Sequence, residues 1–287
     1  MLTVFTPSYN RANCLPRLYE SLKTQSNNDF EWLIVDDGSC DDTKRLVNEW
    51  INEGKIKIRY IYQENGGKPR AFNNGVKNAE GELFFCVDSD DYLPSDSVEL
   101  IINKWNEVND KKIVGIIGLK EDEKGKLLCD TFSDDIKFAT TYNLVRKYGI
   151  KGEKSLVYKT EILREYPYPE IDGEKFIGEN VVYDKIDQKY EMALLNKVLT
   201  TCEYQEGGLT ATIFSTMLKN PTGYKIYYMQ RINIAIDFKE RINYMLRYNA
   251  FDILSKDKKY NYKGKYKFIT LVLRPFGWLL TRYYKSK

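Results

Sequence analysis

Apolar positions in the first 120 residues form short runs that alternate between a period of two and a period near 3.6. Residues 2–6 (Leu-Thr-Val-Phe-Thr) and 31–35 (Glu-Trp-Leu-Ile-Val) are β-prone runs, each closed by turn-forming or acidic residues. Between them Leu15, Leu18, Tyr19 and Leu22 recur at helical spacing over 13–25. The unit repeats as a helix at 41–53 (Leu46, Val47, Trp50, Ile51), an alternating strand at 56–62, a helix at 69–79 and a strand at 82–87. A helix at 96–109 and a strand at 113–119 follow. Strands alternating with helices predict an α/β fold, a mostly parallel sheet with helices on both faces. Ligands bind such sheets at the carboxyl ends of the strands. The polar clusters at 6–11, 36–43, 64–68 and 88–91 follow strands and should therefore gather on one edge.

The regular alternation ends at Leu119. Residues 120–210 mix charged loops with a helix at 141–148, a strand-like run at 155–159 and a helix opening near Gly178. Residues 222–255 read as one or two amphipathic helices. No repeat and no Gly/Ser linker interrupts the chain, so the expectation is one catalytic domain over 1–215 and a helical C-terminal extension over 216–287.

Composition narrows the chemistry. The 287 residues include 44 Lys+Arg, 41 Asp+Glu and no histidine. That excludes Ser-His and Cys-His nucleophiles, an imidazole base and imidazole-ligated zinc. Five widely spaced cysteines, none in a C-x-x-C pair, favour reduced thiols and a cytosolic setting. The N-terminal MLTVFTPSYNR has neither the apolar region nor the cleavage site of a secretory signal, and no stretch is long and apolar enough to span a bilayer. Charge is uneven. Residues 256–287 hold ten Lys/Arg against Asp257, a balance of +9, so with a whole-chain charge of +3 residues 1–255 sum to −6.

Four clusters carry candidate chemistry. Val87-Asp88-Ser89-Asp90-Asp91 ends an apolar strand, and three carboxylates so close repel unless a cation or solvent screens them. Hard divalent cations take such oxygens together with substrate phosphates; a solvated loop leading into helix 96–109 is the alternative. Val35-Asp36-Asp37-Gly38-Ser39 can offer a carboxylate to a ribose or base, or serve as a turn and helix cap. Glu64-Asn65-Gly66-Gly67-Lys68-Pro69-Arg70 sets two cations and backbone N–H groups at a helix start, which suits a diphosphate. Its spacing matches neither a P-loop nor a dinucleotide fingerprint. Thr6-Pro7-Ser8-Tyr9-Asn10-Arg11 offers an aromatic ring for base stacking, or is a plain turn.

In order, spacing and placement, TPSYNR at 6–11, VDDGSCDDT at 35–43, ENGGKPRAFNNG at 64–75 and VDSDD at 87–91 resemble the family 2 glycosyltransferases of GT-A fold. The resemblance implies a nucleotide-sugar-binding half over 1–118 and an acceptor-side half over 119–215. It implies a nucleotide-diphosphate-sugar donor, with UDP-sugars favoured, and Mn²⁺ or Mg²⁺. Tyr9 and Asp37 would contact the base and Thr6 and Pro7 line its pocket. Lys68 would sit near the phosphates, and Asp88, Ser89 and Asp90 would form the D-x-D, with Asp88 and Asp90 on the metal. The family's base lies in an acidic pair on a later helix. Here Gly178-Glu179-Asn180 holds one carboxylate, so the resemblance implies Glu179 as the base of an inverting transfer, with a first-turn glutamate complementing the helix dipole as the alternative.

Residues 204–210 resemble the glycine-containing loop on the acceptor side. Gln230-Arg231-Ile232 is only a weak echo of the Q-x-x-R-W of processive synthases, so a single transfer is expected. The acceptor implied is a glycan or lipid-linked glycan of a bacterial capsule, O-antigen or wall polymer. A sugar-nucleotide pyrophosphorylase and a catalytically silent binding subunit are the other classes considered. The basic tail at 256–287, with eight aromatics, suits peripheral attachment to the anionic inner face of the plasma membrane, packing on the body, or contact in a homo-oligomer. No nucleic-acid-binding module accompanies it.

Overall fold

The computed structural model describes residues 1–108, 110–203 and 213–286. Its strands are β1 (Leu2–Ser8), β2 (Phe30–Asp36), β3 (Ile58–Tyr62), β4 (Leu83–Cys86), β5 (Ile113–Asp122), β6 (Phe138–Ala139), β7 (Lys154–Lys159) and β8 (Glu191–Cys202). The helices in the first half are α1 (Leu15–Lys23), α2 (Thr43–Glu53), α3 (Lys68–Asn78), α4 (Ser97–Asn106), α5 (Thr141–Arg146) and α6 (Thr160–Glu165). The second half adds α7 (Asn180–Ile186), α8 (Ile213–Lys219), α9 (Pro221–Ile234), α10 (Phe238–Leu254), α11 (Lys267–Val272) and α12 (Arg274–Lys285). Cα proximity divides the chain into two compact units, Met1–Pro167 with Lys185–Gln205, and Tyr168–Asp184 with Glu206–Lys287. The segment 168–184, expected within the 1–215 domain, thus belongs with the C-terminal helices.

The first unit is built on a sheet of order β3-β2-β1-β4-β7-β5-β8-β6. β1 pairs parallel with β2 and β4, and β2 with β3. β7 is antiparallel to both β4 and β5, which restores the original direction in β5, and β8 runs parallel to β5. β1 to β5 and β8 therefore end on the same edge, as the alternation of strands and helices implied. The core under it is apolar and aromatic. Tyr19, Trp32 and Trp50 stack with centroids 4.4 to 6.2 Å apart, and Phe5 meets Phe72 and Phe84 on α3 and β4. α3 lies so close to β1 that a Cβ on Gly75 would stand 2.2 Å from the Phe5 ring. A larger residue there would drive helix and strand apart.

The second unit is helical. Tyr228, Ile232, Tyr244, Met245, Tyr248 and Phe251 bury between α9 and α10. Charged groups are buried with them, Lys225 and Asp252 among these. The fully buried Lys225 ammonium donates to Asp252 Oδ1 at 2.8 Å, Asp257 O at 3.1 Å and Asn261 Oδ1 at 3.0 Å, which uses all three of its N–H bonds. Asp237 caps α10 by accepting from Glu240 N at 2.7 Å. The basic tail forms α11 and α12, whose inner face packs on α10. Asn249 donates to Thr270 O, and a Cβ on Gly277 would strike the Asn249 Cβ at 2.4 Å.

Candidate functional site

The carboxyl edge of the sheet assembles the polar clusters. The loop after β1 and the loop after β2 are clamped to each other. Asn10, at φ 52° the one non-glycine residue with positive φ among those described, accepts from Cys40 N at 2.9 Å and donates its own N–H to Ser39 Oγ at 2.8 Å. Ala12 N donates to Asp41 at 3.0 Å. Tyr9, half exposed at this edge, presents its ring to solvent. Pro7 is half-buried, whereas Thr6 is fully buried and accepts from Trp32 Nε1 at 3.0 Å.

Asp36 and Asp37 divide the work of the acidic pair. Buried Asp36 accepts from Ser39 N and from Tyr60 Oη. The Asp37 carboxylate organises the next loop, with Oδ1 accepting from Gln63 Nε2 at 2.7 Å and Gly66 N at 2.8 Å, and Oδ2 from Gly67 N at 2.7 Å. The backbone N–H groups that the sequence offered to a diphosphate are therefore already bound to Asp37. Gly67, at φ 90°, then turns the chain into α3.

The first residue of α3, Lys68, bonds Asp88 Oδ1 at 2.7 Å. Partial burial works to raise the Asp88 carboxyl, but Lys68, Lys120 and Arg11 outweigh it and hold it below the ordinary carboxylate range. Asp90 is half-buried, and its backbone carbonyl accepts from Arg17 Nη2 at 2.6 Å. Its carboxylate and Asp88 Oδ2 have no hydrogen bond among the described residues. Ser89 is buried between them. Two oxygen-rich side chains with open valences match a hard divalent cation that completes its shell from substrate phosphates and water. Among the described residues no third Asp, Glu or Cys joins them in a metal-binding group.

Two groupings at this edge join distant strands; the sequence offered Asp91 only as one carboxylate of the 88–91 cluster, and Lys120, Cys202 and Arg17 not at all. Buried Asp91 lies against Lys120 Nζ at 3.3 Å and the Cys202 thiol at 3.4 Å. Burial, with repulsion from Asp88 and Asp90, pushes its carboxyl up to about 6 despite Lys120. Burial also drives the Cys202 thiol up to about 12. Burial acts against the Lys120 ammonium, but Asp91 and Asp88 overcome it and keep the group charged. Arg17, from α1, pairs with Glu123 at 3.1 Å and with Glu203, and covers the Tyr92 ring at 4.7 Å. The available signal was positional. Lys120 is the first polar residue after the apolar run of β5, the place that each recognised cluster occupies on its own strand.

Glu179 belongs to the second unit. It is exposed, immediately precedes α7, and its carbonyl accepts from Val182 N at 3.0 Å and Tyr183 N at 3.3 Å. Five residues on, buried Asp184 receives a two-pronged contact from Arg231 on α9, Nε to Oδ2 at 2.6 Å and Nη2 to Oδ1 at 2.7 Å. Residues 204–210, the acceptor-side loop of the sequence reading, lie outside the described residues.

The model of the family described as "Glycosyl transferase family 2" matches residues 3–166, more than half of the chain. The chain belongs to glycosyl transferase family 2. An uncharacterized glycosyltransferase of Rickettsia felis is 37% identical over 127 residues, 44% of this chain and 21% of that protein. Chondroitin synthase of Escherichia coli is 31% identical over 133 residues, 46% of this chain and 19% of that protein. The chain thus matches about a fifth of the length of these curated relatives. The crystal structure of S. aureus TarS 1–349 superposes with a TM-score of 0.62 at 18% identity, covering 99% of this chain and 90% of that one. The mannosyltransferase PcManGT from Pyrobaculum calidifontis, in complex with GDP-Man and Mn²⁺, gives 0.53 at 18% identity, covering 99% and 73%. The α/β fold and transferase class expected from the motifs agree with these matches. Among the described residues no helix is long and apolar enough to cross a membrane.

Proposed function

We propose that the protein transfers one sugar from a nucleotide-diphosphate sugar, a UDP-sugar by family frequency, to a hydroxyl of a glycan or lipid-linked glycan in bacterial surface-polymer synthesis. The observation that supports it most is the continuous chain from Asp37 through Gly66 and Gly67 to Lys68 and Asp88, which sets a cation and open carboxylate oxygens side by side at the strand ends. TarS has been crystallised with UDP-GlcNAc, and a teichoic acid poly(glycerol phosphate) polymerase of Staphylococcus epidermidis is among the relatives.

In this proposal Tyr9 stacks on the base at the rim of a pocket walled by Pro7, and Thr6 supports that wall from below through its bond to Trp32. Asp37 has one acceptor position left on Oδ2 for the base. Ser89 lies beside the ribose. Asp88 and Asp90 would hold Mg²⁺ or Mn²⁺, which when bound neutralises charge on the leaving diphosphate. Lys68, released from Asp88 or shared with it, donates to the same diphosphate. Glu179 takes the proton of the acceptor hydroxyl as that oxygen bonds the anomeric carbon and the bond to the diphosphate breaks, giving inversion in a single displacement.

The test is Glu179→Gln, assayed for transfer and for donor binding by titration calorimetry. Transfer should fall at least about 100-fold while donor affinity stays within a few-fold. Near-normal turnover would remove Glu179 from the mechanism. Asp90→Asn should raise the metal concentration needed for half-maximal rate, and an unchanged requirement would count against Asp90 as a ligand.

A further inference from the structure

The outer face of the C-terminal helices is apolar, and none of the described residues covers it. The inner face of α11 and α12 buries Thr270, Gly277, Thr281 and Tyr284. On the outside Phe268, Leu271, Val272, Phe276, Leu279 and Tyr283 recur at helical spacing, 50 to 77% exposed, with Trp278 beside them at 48%. Taking about 150–250 Å² for an aromatic side chain, and less for an aliphatic one, this stripe exposes on the order of 700 Å². That exceeds the roughly 300–600 Å² of the largest patch on a typical monomer.

Beside the stripe opens a cavity of about 400 Å³ between α10, the 255–266 loop and α11. Lys258, Lys263, Lys267 and Arg274 line it against a single acid, Asp252, and Leu271 forms the shared edge of cavity and stripe. Asp252 is already neutralised by Lys225 at 2.8 Å and Arg274 at 2.7 Å. The side chains of Lys263 and Lys267 have no ion pair among the described residues. The cavity is therefore a cationic pocket at the margin of an apolar surface.

We propose that α11, α12 and this pocket form a docking surface for an anionic lipid membrane, with lipid phosphates in the cationic pocket and the Phe268–Leu279 stripe in the interfacial layer. Charge selects this occupant. A two-fold contact between copies would oppose Lys and Arg to Lys and Arg, whereas an anionic leaflet complements them. Trp278 and Tyr283 add aromatic anchors of the kind that settle at headgroup level. The proposal goes beyond the transfer reaction and stands or falls independently of it.

The experiment is flotation of the full chain with phosphatidylcholine vesicles and with vesicles containing one-third phosphatidylglycerol, at low and high salt. Binding should require the anionic lipid and weaken with salt. Each cation near such a surface contributes about five-fold in partitioning, so Lys263→Gln with Lys267→Gln should lower it roughly 25-fold. Phe268→Ser with Phe276→Ser, both exposed, should abolish flotation while far-ultraviolet circular dichroism and melting stay unchanged. Equal flotation with neutral and anionic vesicles, or variants that float like the parent, would overturn the proposal. So would absence of flotation alongside a concentration-dependent dimer that Phe268→Ser with Phe276→Ser disperses.

Discussion

Replacing Arg231 with Met isolates the contact that seats α7. The Asp184 and Arg231 side chains are 1% and 9% exposed, and both guanidinium contacts are 2.7 Å or shorter. Met keeps much of the volume and the aliphatic stem of Arg231, so the principal loss is the charge that neutralises Asp184. Removing one member of a buried ion pair costs about 3–5 kcal/mol. At about 2–4 °C per kcal/mol for a protein of a few hundred residues, the melting temperature should fall by roughly 6–20 °C. Asp184→Leu combined with Arg231→Met leaves no unpaired charge and should recover most of that loss. Thermal and urea unfolding followed by circular dichroism give the four corners of the cycle. Kinetics add a second readout. α7 starts one residue after Glu179, the proposed base, so a shift of about 1 Å in that helix should lower kcat on the order of 100-fold, with donor KM little changed because the residues proposed to bind the donor belong to the first unit. A melting temperature within about 2 °C of the parent would show that the pair does not seat α7. A double variant no more stable than Arg231→Met would show that the loss comes from packing rather than from the broken ion pair.

Asp37→Asn turns one acceptor oxygen into a donor facing Gly67 N or the pair Gln63 Nε2 and Gly66 N, and should cost about 1–3 kcal/mol with weaker nucleotide binding. Coincident urea midpoints would refute the assigned role. Asp91 has a folded pKa raised from an ordinary carboxylate value to about 6. Its contribution is therefore full below the unfolded value, near 3.9, and is lost as pH rises through 6. Between about pH 4 and 6 the parent should lose stability relative to Asp91→Asn, by up to roughly 2–3 kcal/mol, and parallel pH profiles would contradict this. Asp252 has the opposite sign. Burial acts to raise its carboxyl, but Lys225 and Arg274 outweigh it and lower it. Its stabilisation holds above about pH 4 and disappears as pH falls below. Asp252→Asn should flatten the acid limb of the unfolding profile, and an unaltered limb would place that dependence elsewhere.

The strands legible in the sequence are those whose apolar residues run on, or alternate, without a break. β1 and β2 are buried almost throughout and read as continuous apolar runs. β8 was missed because Glu191–Cys202 mixes buried Met192 to Leu194 and Leu199 to Cys202 with exposed Asn196 and Lys197. Its register against β5 also shifts three times, and such bulges break the period of two on which strand recognition rests. β6 has two residues and no local pattern at all. α6 and α8, of six and seven residues, make fewer than two turns each and show too little of a helical period to be read reliably. The split of 168–184 from its sequence neighbours depends on contacts with α9, such as Glu174 accepting from Thr222 N and Gly223 N, which no local window contains.

Candidate site residues could be named from the sequence where one strand end supplied several polar groups, and groupings that join distant strands could not. Asp37 could be named as a candidate ligand, but its grip on Gly66 and Gly67 joins residues 29 and 30 positions apart. That grip changes what the glycine pair does. The pair does not present free N–H groups to a diphosphate; it yields them to Asp37 and so fixes the turn from which Lys68 reaches Asp88. The same holds for Arg231, which by sequence was a weak trace of a processivity motif and in the structure is the counterion of Asp184. With no histidine anywhere in the chain, acid–base balance rests on where each carboxylate finds its cation. Asp88 has Lys68, Asp184 has Arg231 and Asp252 has Lys225, whereas Asp90 has none among the described residues. A carboxylate left half-buried between a cation-paired Asp88 and a buried Asp91 gains more from an added divalent cation than any of its neighbours does. Metal affinity should therefore depend more steeply on Asp90 than on Asp88, whose loss also frees Lys68. Calorimetric titration of Mn²⁺ into Asp88→Asn and Asp90→Asn, each with nucleotide diphosphate present, measures the difference, and the reverse order of affinities would refute the assignment.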